Sequence, residues 1–369
     1  MQITRHCEPG TGSGGLHNLG PWPYRPPMYH PLRLTIDRTA IQENWRWLQD
    51  RAGVAAGAAV KADGYGLGAR ESAHALYQAG CRDFFVSTWA EAEALGPLPV
   101  GTSIVVLHGV GPKDVEAALG FPARPCLSTP EQVARWIEIG GGRSCDVMID
   151  TGMNRLGLRP TEIGILSGIN IETLHSHLAC ADENSPMNTM QLERFRAVAS
   201  AVSARRYALA NSAGICLGRD YSFDLVRPGL SIYGGVPREE AEGQIRSVAR
   251  VDAQIVQRRT IPAGESCGYG ATFTAEADTE AAILNIGYAD GYLRSFSSRG
   301  SAFAGEFALP VLGRVSMDLV AIGVDRAPQL KEGDWVEIDY DLPSASQQSG
   351  LSQYELLTTL GSRFERHWV

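Results

Sequence analysis

The strongest constraint on the fold of this chain is the alternation of short apolar runs with helical segments that begins near residue 33. In the segment STPEQVARWIEIG, for example, Pro130 suits the first turn of a helix that Gly140 ends. Apolar strands separated by helices favour parallel pairing, and eight such units predict a closed (β/α)8 barrel of the TIM type. The eight predicted strands are residues 58–61, 83–87, 103–108, 124–127, 145–150, 171–178, 207–211 and 224–229.

A different pattern follows residue 245. Turns, without intervening helices, separate the strand-like segments IRSVARVDAQIVQRRTI, EAAILNIGYADG, ALPVLGRVSMDLVAIGVD and DWVEIDY, and a short helix is predicted near SQYELLTTLG. This pattern predicts a second, mainly β domain. Residues 1–30 are rich in glycine and proline and lack the apolar stretch of a secretory signal, so we interpret them as a flexible extension. The sequence therefore predicts an extension (1–30), a barrel (31–245) and a mainly β C-terminal domain (246–369).

Composition and charge argue against several classes of function. The 369 residues carry a formal net charge of −8 without a block of like charge, which disfavours nucleic acid or an acidic membrane as a partner. No run of about 18 apolar residues occurs, so no membrane span is predicted. The seven cysteines form no C-x-x-C pair, which argues against a disulfide framework or a structural zinc site. We expect a soluble, cytoplasmic protein that acts on small molecules.

Polar and charged residues stand where the predicted barrel strands end. In a barrel of this type the reactive groups lie at the carboxyl ends of the strands, so these residues are expected to face one mouth. They are Lys61 after the first strand, Asp150 and Arg155 after the fifth, His177 at the end of the sixth, Asn211 and Ser212 after the seventh, and Arg227 at the end of the eighth.

The loop AAVKADGYGLGA (residues 58–69) places Lys61 at a strand end, directly before a glycine-rich turn. A dinucleotide-binding fingerprint needs the spacing G-x-G-x-x-G, whereas Gly64, Gly66 and Gly68 are spaced G-x-G-x-G. An amine at a strand end can form an imine with a carbonyl group, and Tyr65 with neighbouring backbone can bind an anion. Pyridoxal phosphate supplies both groups. From this loop alone, a structural lysine beside an ordinary glycine turn fits equally well.

Eight motifs occur in the order found in one enzyme family. They are AAVKADGYGLGA, DTGMNRLG, HLACADE, ANSAG, VRPGLSIYG, CGYGATF, IGYADGY and GRVSMD. On these motifs the chain resembles the alanine racemases from about residue 31 to residue 366. The resemblance implies a fold-type III enzyme that uses pyridoxal phosphate to interconvert L-alanine and D-alanine. It also implies a head-to-tail homodimer with active sites shared across the interface.

The resemblance implies a mechanism with two bases. Lys61 matches the lysine that binds the cofactor covalently and then handles the α-proton on the D face. Tyr269 in CGYG matches the tyrosine that reaches in from the second subunit and takes the α-proton on the L face. Inversion of a carbon centre requires such bases on opposite faces.

A phenol is almost fully protonated at neutral pH unless neighbouring groups favour its anion. Two residues of this chain match the family residues that supply this stabilisation. They are His177 and Arg227. From the residues alone, His177 also fits a core histidine beside His175, or an H-x-H metal site with no evident third ligand, so no metal is predicted. Arg227 also matches the residue that bonds the pyridine nitrogen. A guanidinium only donates, so this nitrogen stays unprotonated, which suits a racemase better than a transaminase.

The remaining cofactor contacts also follow from the resemblance. Phosphate binding is assigned to the hydroxyls of Tyr65 and Ser212 and to the backbone of Gly229 and Leu230, with Asn211 beside them. Hydroxyls and free N–H groups at a strand-to-helix junction are suitable anion ligands.

Substrate contacts are implied from both domains. Arg155 matches the arginine that contacts the phenolic oxygen of the cofactor and the substrate carboxylate. Met317 matches a residue whose backbone N–H contacts that carboxylate across the interface, and Tyr288 matches one that lines the substrate path. Asp318 is expected to help position the opposite tyrosine. For Met317 and Tyr288, ordinary packing at an interface fits the side chains nearly as well.

The chain departs from the family pattern at two positions. Many relatives carry a carbamylated lysine that orients the arginine, and here Met148 occupies that position. Methionine cannot be carbamylated, so Arg155 must be held in another way. A tyrosine that contacts phosphate in some relatives is replaced by Ser362, which predicts weaker phosphate binding.

Two alternatives stay open at this stage. An amino-acid racemase of broader specificity, or one that prefers serine, would use the same residues. A non-catalytic carrier of pyridoxal phosphate would be built on the same barrel, but such proteins usually lack the second domain and a counterpart of Tyr269. The sequence does not distinguish a biosynthetic role from a catabolic one.

Overall fold

The computed structural model describes residues 29–369, so the extension predicted for residues 1–30 lies outside the described residues except for its last two. The strands are β1 (Leu32–Ile36), β2 (Ala55–Ala56), β3 (Ala58–Ala59), β4 (Asp83–Val86), β5 (Ser103–Val106), β6 (Arg124–Leu127), β7 (Cys145–Met148), β8 (Ile171–His175), β9 (Arg206–Ala208), β10 (Leu225–Val226), β11 (Ala249–Ile261), β12 (Ser266–Cys267), β13 (Phe273–Thr274), β14 (Thr279–Leu284), β15 (Ser301–Ala304), β16 (Phe307–Leu312), β17 (Val320–Gly323), β18 (Trp335–Ile338) and β19 (Glu365–Trp368).

The helices alternate with strands in the first part of the chain and are nearly absent from the second. They are α1 (Arg38–Ala52), α2 (Lys61–Tyr65), α3 (Ala69–Ala79), α4 (Trp89–Leu95), α5 (Val115–Gly120), α6 (Pro130–Ile139), α7 (Pro186–Ala201), α8 (Ser212–Cys216), α9 (Leu342–Ser349) and α10 (Gln353–Thr358). Short 3-10 helices include Pro160–Leu166, Leu230–Tyr233, Tyr269–Ala271 and Tyr288–Asp290. Within residues 29–369, no helix is both long and apolar enough to span a membrane.

The predicted parallel barrel is confirmed. Strands β3 to β9 form a seven-stranded parallel sheet in chain order, and β10 pairs in parallel with β2, from which β3 is separated only by Gly57. Backbone bonds from Asp224 N–H to Tyr207 O and from Arg227 N–H to Ala210 O join the β9 and β10 segments. The ring is thereby closed, and each of the eight predicted strand regions contains a strand. The carboxyl ends of these strands lie at one mouth.

The mainly β C-terminal domain is also confirmed. Its eight-stranded sheet has the order β14-β17-β16-β15-β18-β11-β1-β19, and its neighbours are antiparallel except for the parallel pair β1 and β19. Strand β1 belongs to this sheet although the sequence division places residues 32–36 with the barrel. Its residues alternate between buried and half-buried, as in an antiparallel strand with one covered face, whereas β4 is buried along its whole length.

The core is continuous between the two sheets. One hydrophobic cluster includes Leu34 of β1, Phe84 and Phe85 of β4, and Leu284 of β14. Residues 31–369 form one compact unit. The barrel mouth therefore lies on a scaffold that both parts of the chain build.

Candidate active site

A cavity of about 710 Å³ opens at the carboxyl ends of the barrel strands. It is the place where reactive groups gather in this fold. Nine residues that the sequence analysis assigns to the cofactor and substrate line it together: Lys61, Tyr65, Arg155, His177, Asn211, Ser212, Arg227, Gly229 and Leu230. Residues that are more than 100 positions apart along the chain thus meet at one site.

Lys61 follows β3 and is the first residue of α2, which is a strained left-handed turn and not a regular helix. The next four residues, from Ala62 to Tyr65, have φ angles of 51°, 51°, 60° and 56°, in the left-handed region. Burial lowers the pKa of Lys61, and the nearby guanidinium groups of Arg155 and Arg227 lower it further. A lysine in this setting is neutral more often at a given pH, so it is a better nucleophile and base.

One end of the cavity is suited to an anion. Ser212 Oγ accepts the backbone N–H groups of Gly229 (3.1 Å) and Ser231 (3.2 Å), which draws the first turn of α8 against the loop after β10. The Tyr65 hydroxyl has no hydrogen-bond partner among residues 29–369, and burial raises its pKa, so it remains a donor. Its ring stacks on Tyr233 with 4.9 Å between the ring centroids. The hydroxyl groups of Tyr65 and Ser212 are therefore present together as donors for an anion.

Arg227 is a buried cation without a carboxylate partner in the described part of the chain. It is 7% exposed, one of its terminal nitrogens donates to the carbonyl of Ser176, and its Nε has no partner. Its guanidinium lies 6.0 Å from the centre of the Phe85 ring. Burial lowers the pKa of Arg227, since nothing fully compensates for its desolvation. A ligand atom that accepts a hydrogen bond would satisfy the free Nε–H.

The two histidines of the H-x-H sequence have separate surroundings. His175 is fully buried, and its Nε2 lies 2.7 Å from Asp146 Oδ2. His177 instead lines the cavity, where burial, Arg227, Arg155 and Lys61 together lower its pKa to about 3. His177 is therefore a neutral imidazole at physiological pH. Among residues 29–369, no group of three or more His, Cys, Asp or Glu side chains is arranged to hold a metal ion.

The loop that carries Arg155 is held through its backbone. Asp150 Oδ1 accepts the N–H groups of Gly152 (2.8 Å) and Asn154 (3.1 Å), and Oδ2 accepts that of Arg155 (3.1 Å). Met148 lines the cavity nearby and offers no charge. Within residues 29–369 the Arg155 guanidinium forms no ion pair, so it is available to an anionic ligand.

Tyr269, Tyr288 and Met317 do not line the cavity of their own chain. They belong to the C-terminal domain and are 68%, 36% and 53% exposed. Other large hydrophobic side chains of the described chain, such as Val100 and Ile137, are similarly exposed.

The turns that carry Tyr288 and Met317 are joined by an arginine. The Arg363 guanidinium binds the buried carboxylate of Asp290 at 2.6 and 2.8 Å and that of Asp318 at 2.7 Å. The sequence predicts that Asp318 helps to position the tyrosine of the opposite subunit, and in this structure its carboxylate pairs with Arg363 of its own chain.

Two residues of the site were missed by motif reasoning. Tyr354 lines the cavity from α10, and its ring centroid lies 6.2 Å from that of Tyr65. Glu91 contacts the backbone beside Lys61. The capping pattern T-x-x-E signals the start of α4 but not this contact. Ser362, in contrast, lines a second, smaller cavity together with Arg366 and Trp368.

Comparison with known proteins agrees with this geometry. Residues 36–237 match the family model "Alanine racemase, N-terminal domain", and residues 248–368 match "Alanine racemase, C-terminal domain". The catabolic alanine racemase of Agrobacterium fabrum is 41% identical over 388 aligned positions, which cover 100% of this chain and 95% of the relative. The alanine racemase of Rhizobium meliloti is 40% identical over 365 aligned positions, which cover 91% of this chain and 96% of the relative.

A solved structure is similar over the same range. Alanine racemase from Bartonella henselae, crystallised with covalently bound pyridoxal phosphate, superposes with a TM-score of 0.86 at 34% sequence identity. The match covers 92% of this chain and 100% of that one. By both of its domains and by nearly its full length, the chain belongs to the alanine racemase family.

Proposed function

We propose that this chain interconverts L-alanine and D-alanine with pyridoxal phosphate, using Lys61 and the Tyr269 of a second copy as its two bases. The observation that carries the proposal is the barrel cavity itself. It combines a lysine of lowered pKa, a buried arginine with an unpartnered Nε and an end lined by hydroxyl donors. The family to which the chain belongs supports the same reaction.

The residues present fit pyridoxal phosphate. Tyr65, Ser212 and the backbone of Gly229 and Leu230 would hold the phosphate, and Arg227 would donate to the ring nitrogen. When bound, pyridoxal phosphate supplies an aldehyde that joins to amines and a ring that delocalises negative charge from the substrate α-carbon. Because a guanidinium only donates, Arg227 would keep the ring nitrogen unprotonated, which limits this delocalisation and favours prompt return of the proton.

A substitution at Gly229 tests whether the phosphate of the cofactor binds beside Tyr65. A Cβ at this position would lie 2.1 Å from the Tyr65 hydroxyl oxygen, so Gly229→Ala must displace the tyrosine. We expect affinity for pyridoxal phosphate to fall about 10- to 100-fold, the equivalent of about 1–3 kcal/mol of overpacking. Equilibrium titration of the apoprotein with pyridoxal phosphate measures this affinity. Gly120→Ala is the matched control, since a Cβ there meets nothing within 4 Å, and equal affinities in the two variants would contradict the assignment.

Lys61 is proposed as the base for the α-proton on the D face. Its lowered pKa supports this role, because a neutral amine can accept a proton. Arg155 would hold the substrate carboxylate, and its lack of an ion-pair partner in residues 29–369 supports that assignment.

Tyr269 is proposed to act on the L face of the active site of a second copy. Three observations support a shared site: Tyr269, Tyr288 and Met317 are exposed, they share one domain, and none of them lines the cavity of its own chain. In a head-to-tail homodimer, each cavity would receive these residues from the partner. His177, neutral as its pKa of about 3 requires, would act as a hydrogen-bond partner of the tyrosine together with the charge of Arg227.

A substrate panel separates the narrow function from the broader one. We expect the purified protein with pyridoxal phosphate to racemise alanine fastest among small L-amino acids, measured by a coupled D-amino-acid assay alongside its visible absorbance. A rate on serine or lysine equal to that on alanine would replace this proposal by a broad-specificity racemase. If no substrate were turned over, a non-catalytic carrier of pyridoxal phosphate would be the remaining alternative. The match to the C-terminal domain of the alanine racemases argues against that alternative.

We also propose the division into an extension (1–30), a barrel (31–245) and a C-terminal domain (246–369), with β1 contributed to the second sheet.

The cytoplasm is the proposed location. The absence of a C-x-x-C pair in the sequence and the free thiols of the described cysteines support this location.

A further inference from the structure

The turn after Lys61 needs support from outside itself. Ala62, Asp63 and Tyr65 are not glycines, yet all three have left-handed φ angles, which cost free energy for L-residues. Such a turn persists only where surrounding contacts hold it. Since the backbone of this turn sets the direction in which the Lys61 side chain leaves the strand, its supports also control the amine.

Glu91 supplies a support that no sequence motif assigns. Its Oε1 accepts the N–H of Ala62 at 2.9 Å, and its Oε2 accepts the N–H groups of Ser87 and Thr88, the latter at 3.4 Å. One carboxylate therefore joins the end of β4, the start of α4 and the residue next to Lys61. Bonds from N–H groups to an ionised carboxylate are the stronger kind.

Glu91 also balances charge around the amine. Burial, Arg155 and Arg227 lower the pKa of Lys61, and Glu91 acts in the opposite direction. The carboxylate thus has two separable effects, one on the position of the lysine and one on its protonation.

We propose that Glu91 is a positioning residue for Lys61, which holds the left-handed turn so that the amine meets the cofactor aldehyde. The inference rests on the proposed function, in which Lys61 binds pyridoxal phosphate. In that step the neutral amine adds to the aldehyde carbon, a C=N bond replaces the C=O bond, and the oxygen leaves as water with the two amine protons. A lysine pointing elsewhere would make this step slow at every pH.

The test measures the rate at which full-length apoprotein binds pyridoxal phosphate covalently, followed by visible absorbance from pH 6 to above the ordinary lysine pKa of about 10.4. For the unchanged protein we expect a rate that rises with pH to a plateau, with a midpoint below that value. Glu91→Asp keeps the charge but shortens the reach, so we expect a plateau about 10-fold lower with little change in midpoint. Glu91→Gln removes the charge, and its one amide oxygen can accept from Ala62 or from Ser87 and Thr88 but not from both sides, so we expect its midpoint to move to lower pH and its plateau to fall as well.

A matched control separates positioning from loss of a helix cap. Glu162 accepts the N–H of Arg159 at the start of the helix Pro160–Leu166 and does not line the cavity, so Glu162→Asp should leave the plateau unchanged. Equal plateaus in Glu91→Asp and Glu162→Asp would overturn the inference. If the unchanged protein never bound the cofactor at Lys61, the proposed function would fail first. If Glu91→Asp did not fold, Glu91→Gln would decide by itself, and an unchanged plateau in that variant would overturn the inference whether or not the midpoint moved.

Discussion

Replacing Lys61 by alanine is expected to lower racemase activity by at least about 10⁴-fold, since general-base catalysis alone typically contributes 10²–10⁴-fold and covalent cofactor binding is lost as well. The visible absorbance of the lysine-bound cofactor should disappear. The fold should remain, because Lys61 forms no ion pair in the described part of the chain and the Glu91 carboxylate, which holds the neighbouring turn through the N–H of Ala62, is unchanged.

The small number of lysines in the sequence makes the site of cofactor attachment easy to identify. The sequence contains three lysines, at positions 61, 113 and 331, and both Lys113 and Lys331 are exposed. Borohydride reduction followed by peptide mass analysis should therefore find the cofactor on one peptide only. Lys113→Ala is the matched control and should keep both absorbance and activity. Survival of the band in Lys61→Ala, or a label on another lysine, would refute the assignment.

Replacing Tyr269 by phenylalanine is expected to slow racemisation by about 10²- to 10⁴-fold, the usual contribution of one proton-transfer group, while cofactor binding is retained. The two directions of proton exchange should separate. In D₂O, α-proton exchange of D-alanine through Lys61 should continue, whereas exchange of L-alanine should be lost. Equal exchange of both enantiomers would contradict two bases on opposite faces.

Mixed dimers test whether Tyr269 acts across the interface. A subunit with Lys61→Ala still offers Tyr269, and one with Tyr269→Phe still offers Lys61. If the two residues meet across an interface, a mixed dimer has one intact site, so equal mixing should restore about a quarter of full activity. The two inactive variants are unfolded and refolded together to form mixed dimers. If these mixed dimers form but stay inactive, both bases come from one chain. Tyr354→Phe is a matched tyrosine control: because Tyr354 lines the cavity of its own chain, mixing this variant with Lys61→Ala should give no activity beyond that of the Tyr354→Phe sites themselves.

Local pattern was sufficient for most of the fold. Buried parallel strands are nearly continuous apolar runs, and helices between them repeat at a different period, so the eight strand regions and the change after residue 245 are visible in the sequence. Residues at strand ends, such as Lys61, His177 and Arg227, could be placed at one mouth because closure of a barrel brings those ends together. Their chemical roles came from the resemblance, since a lysine before a glycine turn has several uses.

Long-range contacts decided the rest. No strand is predicted from the sequence at residues 32–36, and the structure places them in β1 with the partners β11 and β19. The sequence placed Met148 near Arg155 without revealing that Asp150 holds the loop through three backbone N–H groups. The pKa of about 3 for His177 depends on burial and on three cations that are distant along the chain.

By itself, then, the sequence determined the barrel, the second domain and the set of residues at the mouth, because these depend on hydrophobic period and on residue type. The tertiary structure alone decided that Glu91 and Tyr354 belong to the site. The physical reason is that hydrogen bonds, burial and electrostatic shifts act over a few ångströms in space, and local sequence patterns carry no information about which distant segments come that close.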